Sequence, residues 1–405
     1  MKKLSIILLI SVVCWSCDVN IHPETEFDYN LKSAQVISTN NDFGLELFQE
    51  IIDNDDSPNI MISPASVSLA LGMAYNGAET TTKDAFDEMF DYGDLTREEV
   101  NKISLDLITT LVTNSKGNLL EIANGIWYRE GFPVKDTFLS VNQTYYDAEV
   151  RAMDFSKATA LEEINDWVSD QTHEKITKIL EQIDPQTMMI LVNALYFNCV
   201  WEYEFDKKET ESKPFYKEDG SKYADVDMMH IENTYNFLKK DEFRAVEMPY
   251  KNGKFSMHLL LPEDGYTVSD IIEMMNDESW NEWTEAYTEI EDVNITMPKF
   301  KFAFDRSIGP DLIAMGLGPA FTDTADFSGI SEIALMISKV IHKTYIDVNE
   351  EGTEAAAVTA VVFDLTTAAP DYNMYIDRPF LFAITENSSK SIIFIGKVTE
   401  PAYAD

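Results

Sequence analysis

The sequence predicts a mixed α+β fold, and three observations carry that reading. Segments with helical spacing of apolar residues lie mainly in the first half of the chain. Continuous or alternating apolar runs that suit strands lie in the second, and no linker or internal repeat separates the two. The chain has 405 residues, 45% of them hydrophobic and 12% aromatic, which is ample for a large core and far from a disordered composition. Length alone would suggest two or three domains. With no Gly/Ser-rich or Pro-rich stretch to divide it, one large α+β domain over residues 35–405 is the better expectation.

The opening residues read as a targeting signal. Lys2 and Lys3 form a charged start, residues 4–13 an apolar stretch too short to span a bilayer, and Cys14-Trp15-Ser16-Cys17 comes next. A small residue before a cysteine suggests a bacterial lipobox, with 1–16 as leader and Cys17 as the lipidated first residue of the mature chain. A plain secretory signal is the alternative. Residues 17–34 read as a polar tether. The expected location is therefore outside the cytoplasm, lipid-anchored at a bacterial outer membrane or cell surface, or else secreted or periplasmic. With Cys14 removed and Cys17 lipidated, only Cys199 remains, so no intramolecular disulfide is expected. Cys199 lies in an apolar run and reads as a small buried hydrophobe.

Along the chain, 42–52 has Phe43, Leu47, Phe48 and Ile51 on one helical side. Ser63-Pro64 is a helix start, with a capping serine and proline at the first helical position. The run 65–76 after it is almost wholly apolar or small and predicts a buried helix. Residues 161–180 carry Ile164, Trp167, Val168, Ile176 and Ile179 and predict an amphipathic surface helix. Runs at 189–197, 255–261, 295–304 and 392–398 predict strands, and Lys251-Asn252-Gly253 a hairpin turn.

Charge and motifs exclude several functions. The net charge of −40, or −42 without the leader that carries Lys2 and Lys3, repels nucleic acid and anionic membrane faces. Of five histidines, His173 precedes Glu174, yet Thr177 stands where a zinc helix needs a second histidine. No C-x-x-C pair, G-x-S-x-G elbow, P-loop or G-x-G-x-x-G occurs. No catalytic role, metal or cofactor is expected.

The most informative stretch is 353–365, which contains neither Pro nor Gly. Both its charges, Glu354 and Asp364, fall on even positions, while Thr353, Ala355, Ala357, Thr359, Val361 and Phe363 fall on odd ones. A strand here would bury its odd face. The run ends in Thr366-Thr367-Ala368-Ala369-Pro370, small residues suited to a protease cleft. The alanine run on its own equally suits a short helix or a flexible linker.

Several blocks together resemble the serpin family. They are N-I-M-I-S-P-A-S-V-S-L-A-L-G-M-A-Y-N-G-A-E-T-T-T from Asn59, the I-N-D-W-V helix from Ile164, and L-V-N-A-L-Y-F-N-C-V-W-E-Y-E-F from Leu191. Further along stand A-D-F-S-G-I from Ala325, N-E-E-G-T-E-A-A-A-V-T-A from Asn349, Arg378-Pro379-Phe380 and the closing apolar strand. The blocks run in family order from about residue 35 to 400. Departures are Thr80 where the family usually has Gly, Asn198 and Cys199 for a basic residue and Gly, and a span from Gly352 to Pro379 about two residues longer than usual.

The resemblance implies a serpin fold with a helical N-terminal half, three β-sheets and an exposed reactive-centre loop over about 350–372. It implies a one-shot inhibitor of serine proteases, and of some cysteine proteases, that works as a monomer without cofactor. Glu350, Gly352, Thr353, Glu354, Ala355, Ala356 and Ala357 would form the hinge. Ser63, Ser66, Asn193 and His342 would form the shutter beneath the main sheet, and Trp201 and Lys299 would sit at its breach, with Lys299 pairing Glu350. The reactive bond would be Thr366–Thr367 counted from Gly352, or would lie after Ala368 counted back from Pro379, with Leu365 a further alternative. Small side chains there and no Lys or Arg between Lys343 and Arg378 imply elastase-like or subtilisin-like targets. A non-inhibitory serpin acting as a carrier is the rival reading.

Overall fold

The computed structural model describes residues 26–115, 118–353 and 372–403. Helix α1 (Leu31–Asn54) starts well before the predicted position because Asn30 caps it, accepting from the Lys32 and Ser33 amides while Ser33 reaches back. Strand β1 (Asn59–Ile62) leads to α2 (Pro64–Tyr75), capped by the Ser63 hydroxyl. Every residue of α2 except Ala70 is buried, as an all-round apolar helix requires. Then come α3 (Thr80–Phe90), α4 (Arg97–Leu111), β2 (Thr113–Ser115), β3 (Asn118–Arg129), α5 (Asp136–Tyr146), β4 (Glu149–Met153) and α6 (Ala158–Gln171).

Helix α6 is shorter than predicted. Thr172 bonds back to the Val168 carbonyl at 2.8 Å, and His173 and Glu174 take φ of 48° and 64°, which ends the helix. The Asn165 side chain then accepts from the Ile179 and Leu180 amides at 2.8 and 2.9 Å. The apolar residues that extended the helical pattern are thus held against the body without being helical.

Strands dominate from here. They are β5 (Met189–Val200), β6 (Glu211–Tyr216), β7 (Lys222–Lys239), β8 (Phe243–Pro249) and β9 (Phe255–Pro262), and after them come the short helices α7 (Val268–Glu273) and α8 (Asp277–Glu285). The β8–β9 turn has Asn252 and Gly253 at φ of 67° and 63°, the left-handed backbone a tight hairpin needs. The run predicted as one strand over 295–304 is two, β10 (Thr288–Pro298) and β11 (Phe300–Ser307). Pro298 has no amide to continue the ladder, and the Lys299 amide turns to the Asp227 carbonyl at 2.8 Å. After α9 (Gly309–Leu312) come β12 (Ile341–Asn349), β13 (Gly352–Thr353), β14 (Asn373–Tyr375), β15 (Phe380–Glu386) and β16 (Ser391–Val398).

Among the described residues these strands make two hydrogen-bonded sheets. One has nine strands, ordered β1-β16-β15-β9-β8-β7-β10-β14 with β6 on β7. The other has seven, ordered β11-β12-β13-β5-β3-β2 with β4 on β3. Two of the three expected sheets are continuous in the nine-stranded one, because the long β7 pairs β6 near its start, β10 along most of its length and β8 at its end. The main core fills the space between the sheets around α2. A smaller cluster of Trp127, Ile164, Trp167, Val168, Val192 and Ala194 seats α6 on the outer face of the seven-stranded sheet.

Candidate functional site

The seven-stranded sheet contains a seam. Strands β12 and β5 run parallel and, among the described residues, pair with each other nowhere; the two-residue β13 joins them at one end. Gly352 faces Asn349 and Val200, and Thr353 faces Val348 and Cys199. A Cβ on Gly352 would lie 2.1 Å from the Cys199 carbonyl oxygen. Close backbone approach is what demands glycine there.

Thr353 is 3% exposed and turned inward, its hydroxyl 2.6 Å from the Tyr250 hydroxyl. Tyr250 stacks on Trp201 with ring centroids 4.5 Å apart, and the Trp201 indole donates to the Asn349 carbonyl at 3.0 Å. The Trp201 amide donates to Glu351 and the Phe205 amide to Glu350, at 3.0 and 2.9 Å. The backbone entering β13 is therefore tied down on its β5 side. Burial pushes the Cys199 thiol up, so it sits beside Thr353 as a hydrophobe.

Glu350 and Glu351 point to cations. Lys299 Nζ lies 3.2 Å from Glu350, whose carboxylate also accepts from Thr210 at 2.8 Å, and Lys207 pairs with Glu351. Burial raises the Glu350 carboxyl, but the Thr210 and Lys299 contacts outweigh it and hold it below the usual carboxylate range. Lys299 also lies 4.2 Å from the Tyr403 ring centroid.

Beneath the seam lies a polar chain. His342 of β12 accepts the Ser63 amide on Nε2 at 3.0 Å, and Ser63 caps α2 by accepting from Ser66 at 3.2 Å. Ser66 donates to Asn193 of β5, Asn193 donates to Asn124 of β3 at 2.7 Å, and Asn124 donates to the Tyr146 carbonyl at 2.6 Å. Burial lowers the His342 pKa to about 4, so its ring is neutral at neutral pH and Nε2 is free to accept. The strands flanking the seam are both anchored to α2 by polar contacts.

The structure thus brings Glu350, Gly352, Thr353, Trp201 and Lys299 together at one end of the seam, and Ser63, Ser66, Asn193 and His342 beneath it. The positions Cys17, Glu354, Ala355, Ala356, Ala357, Leu365, Thr366, Thr367 and Ala368 lie outside the described residues. Sequence reasoning missed Tyr250, Thr210, Lys207, Asn124 and Tyr403. Each is single and sits far along the chain from its partner, so no local spacing marks it.

Comparisons with known proteins agree with this geometry. The family model described as "Serpin (serine protease inhibitor)" matches residues 38–401. A serpin-like protein of Methanosarcina mazei is 36% identical, over 92% of this chain and 89% of its own length. Human leukocyte elastase inhibitor is 33% identical, over 91% of this chain and 100% of its own. The crystal structure of human thyroxine-binding globulin matches with a TM-score of 0.84 and 31% identity, covering 92% of this chain and 100% of that one. With a family model spanning nearly all the described residues and relatives of this identity over nine-tenths or so of their length or more, the chain belongs to the serpin family.

Proposed function

We propose that this protein is a suicide-substrate inhibitor of elastase-like or subtilisin-like serine endopeptidases. One observation carries the reading: Thr353 occupies the first inward position of a strand between β12 and β5, with both flanking edges in register to accept a longer strand. Continued, that register sets positions 354–360 opposite Asp347 to Ile341 on one side and Asn198 to Val192 on the other. Odd positions then face the core, which suits the small and apolar side chains they carry, and Glu354 faces out.

The target's serine attacks the loop carbonyl, the C-terminal segment leaves as an amine, and an acyl-enzyme remains. Insertion of the N-terminal segment carries the esterified protease along the sheet. About twelve residues at ~3.3 Å each span roughly 40 Å. A protease dragged and distorted in this way no longer deacylates. The chain supplies no catalytic group. Thr366–Thr367 is the proposed reactive bond, with cleavage after Leu365 or Ala368 the other choices, and Cys17 the proposed lipid anchor of an exported protein.

Incubation with pancreatic elastase and with subtilisin, then separation on a denaturing gel, tests the proposal. A covalent adduct that survives SDS is expected, and the mass of the released C-terminal peptide fixes the bond. Cleavage with no adduct and no gain in thermal resistance refutes inhibition. A cavity of about 260 Å³ lined by Glu247, His258, Trp280, Asn281 and Thr385 favours the second reading, a carrier. That reading would be upheld by tight binding of a small amphipathic ligand that cleavage releases, with no adduct to either protease.

A further inference from the structure

Strand β14, on the C-terminal side of the proposed reactive bond, is weakly held by its own ladder. It has three residues and, among the described residues, pairs only with β10, in parallel, the less stable arrangement. Two arginines add to that hold. Arg244 of β8 donates from Nη1 to the Asn373 carbonyl at 2.8 Å, while its Nε and Nη2 fork onto the two carboxylate oxygens of Glu263 at 2.9 and 2.7 Å. Arg378, just past the strand, donates to the Pro262 carbonyl at 2.8 Å. The end of β9 therefore secures the chain on both sides of β14.

In the sheet order β7 and β10 separate β8 from β14. Arg244 reaches across them because the sheet bends, with a register shift between Ile290 and Val293 of β10. The Tyr372 ring, one residue before β14, packs edge-on against Phe237 of β7 with centroids 5.6 Å apart. The start of β14 is thus held by β7 and β8 as well as by β10. The fork makes the reach precise. Two nitrogens fix the guanidinium plane on a half-buried carboxylate, and the third is left aimed at the Asn373 carbonyl.

We infer that Arg244 is a positioning residue for the loop, one that sets how fast a protease engages it and leaves the later trapping step untouched. The kinetic consequence rests on the inhibitor reading; the clamp itself does not. Asn373 stands six residues past Thr367. A loop tied firmly at its exit has fewer conformations to lose when it enters a protease cleft. On acylation, however, the segment that carries Asn373 is the leaving amine, and the protease stays bonded to the other segment. Whatever holds β14 then drops out of the race between trapping and deacylation.

The test uses the full mature chain with Arg244→Gln, Arg244→Lys and, as a control for lost positive charge, Lys240→Gln, whose ammonium lies 5.8 Å from the Trp283 ring centroid. Hydrogen exchange read by mass spectrometry tests the clamp without a protease. The peptide over 372–377 should exchange about tenfold faster in both Arg244 variants, the loss of one hydrogen bond to a charged donor, while peptides of β15 keep the parent's rate. Lysine keeps a charge beside Glu263, so that variant should stay folded, but it lacks the fork that aims the third nitrogen. With pancreatic elastase, progress curves should show association slowed by a similar factor, and denaturing gels an unchanged ratio of adduct to cleaved product. Lys240→Gln should match the parent throughout. Unchanged exchange over 372–377, equal acceleration in β15, a shifted adduct ratio, or equal slowing by Lys240→Gln overturns the assignment. A parent protein that forms no SDS-stable adduct refutes the inhibitor reading instead, and the exchange rates still decide the clamp.

Discussion

Replacing Thr353 with Arg probes the seam most directly. The Thr353 side chain is 3% exposed, and the space beside it, lined by Met61, Phe197, Tyr345, Ile346, Ile384 and Phe394, amounts to about 10 Å³. On that measure a single water needs about 10–15 Å³, so a guanidinium, several times larger than a water, has no room. Forcing its charge among those residues would cost several kcal/mol. Loss of the Tyr250 partner adds about 1–3 kcal/mol for a buried hydroxyl left unpaired. If about 2 kcal/mol of this total is felt at the transition state for insertion, insertion slows roughly thirtyfold. Deacylation then overtakes trapping, and the inhibitor becomes a substrate. The assay is a denaturing gel with pancreatic elastase, scoring adduct against cleaved product, with Thr353→Ser as the control that keeps the hydroxyl. Adduct is expected to vanish for Arg and persist for Ser. An undiminished adduct for Thr353→Arg would refute the claim that this position must enter the sheet.

Three further perturbations have defined signs. His342 is held at about 4 against an ordinary value of 6.5, so the unfolded chain binds the proton more tightly. Its stabilisation is complete above about pH 6.5 and is lost as pH falls through 4, about 3 kcal/mol in all; urea midpoints from pH 8 to 4 should fall less steeply in His342→Asn. Lys299→Met leaves Glu350 buried beside Thr210 alone, and breaking such a pair costs about 3–5 kcal/mol; Glu350→Gln should cost clearly less, by urea midpoint. Thr80 takes φ of 46°, a left-handed conformation for a β-branched residue, eased by its hydrogen bond to Asp326 at 2.7 Å. Thr80→Gly should gain about 1 kcal/mol net, seen as a higher thermal midpoint, and a lower one would show that the hydrogen bond outweighs the strain.

How far the sequence discloses this fold depends on whether a signal is local. Ser63-Pro64 announces α2 because both cap and first-turn proline act within four residues. The run at 189–197 announces β5 because burial on both faces leaves it apolar throughout. The extent of α6 is misread because Ile176 and Ile179 continue its apolar spacing, while the Asn165 side chain that captures the chain there lies earlier in the sequence. The split at Pro298 is written in one residue, but the alternation on either side masks it. In the site, Thr353 and Glu350 stand out through the ordered blocks of the family, whereas Tyr250, which holds Thr353, lies 103 residues away beside a hairpin turn whose signal says nothing of that contact.

The seam's polar floor poses the question of why it is not apolar, since a well-packed apolar core there would generally be at least as stable. Asn193 shows what the polar arrangement does: it accepts from Ser66 and donates to Asn124, so its one side chain satisfies a hydroxyl on α2 and an amide on β3. Interdigitated aliphatic groups would resist parting in proportion to the area exposed, whereas a hydrogen bond exchanges partners once geometry allows. Asn193→Ala removes two partners, each worth about 1–3 kcal/mol when left unmet, and should therefore weaken the native sheet by about 2–6 kcal/mol. Held at 37 °C, the variant should convert to a slower-unfolding, strand-extended form faster than the parent, as bands separated on a native urea gel. Retention of the parent's stability and lifetime would mean that Ser66 and Asn124 find other partners. The chain under the seam would then be packing and not a joint.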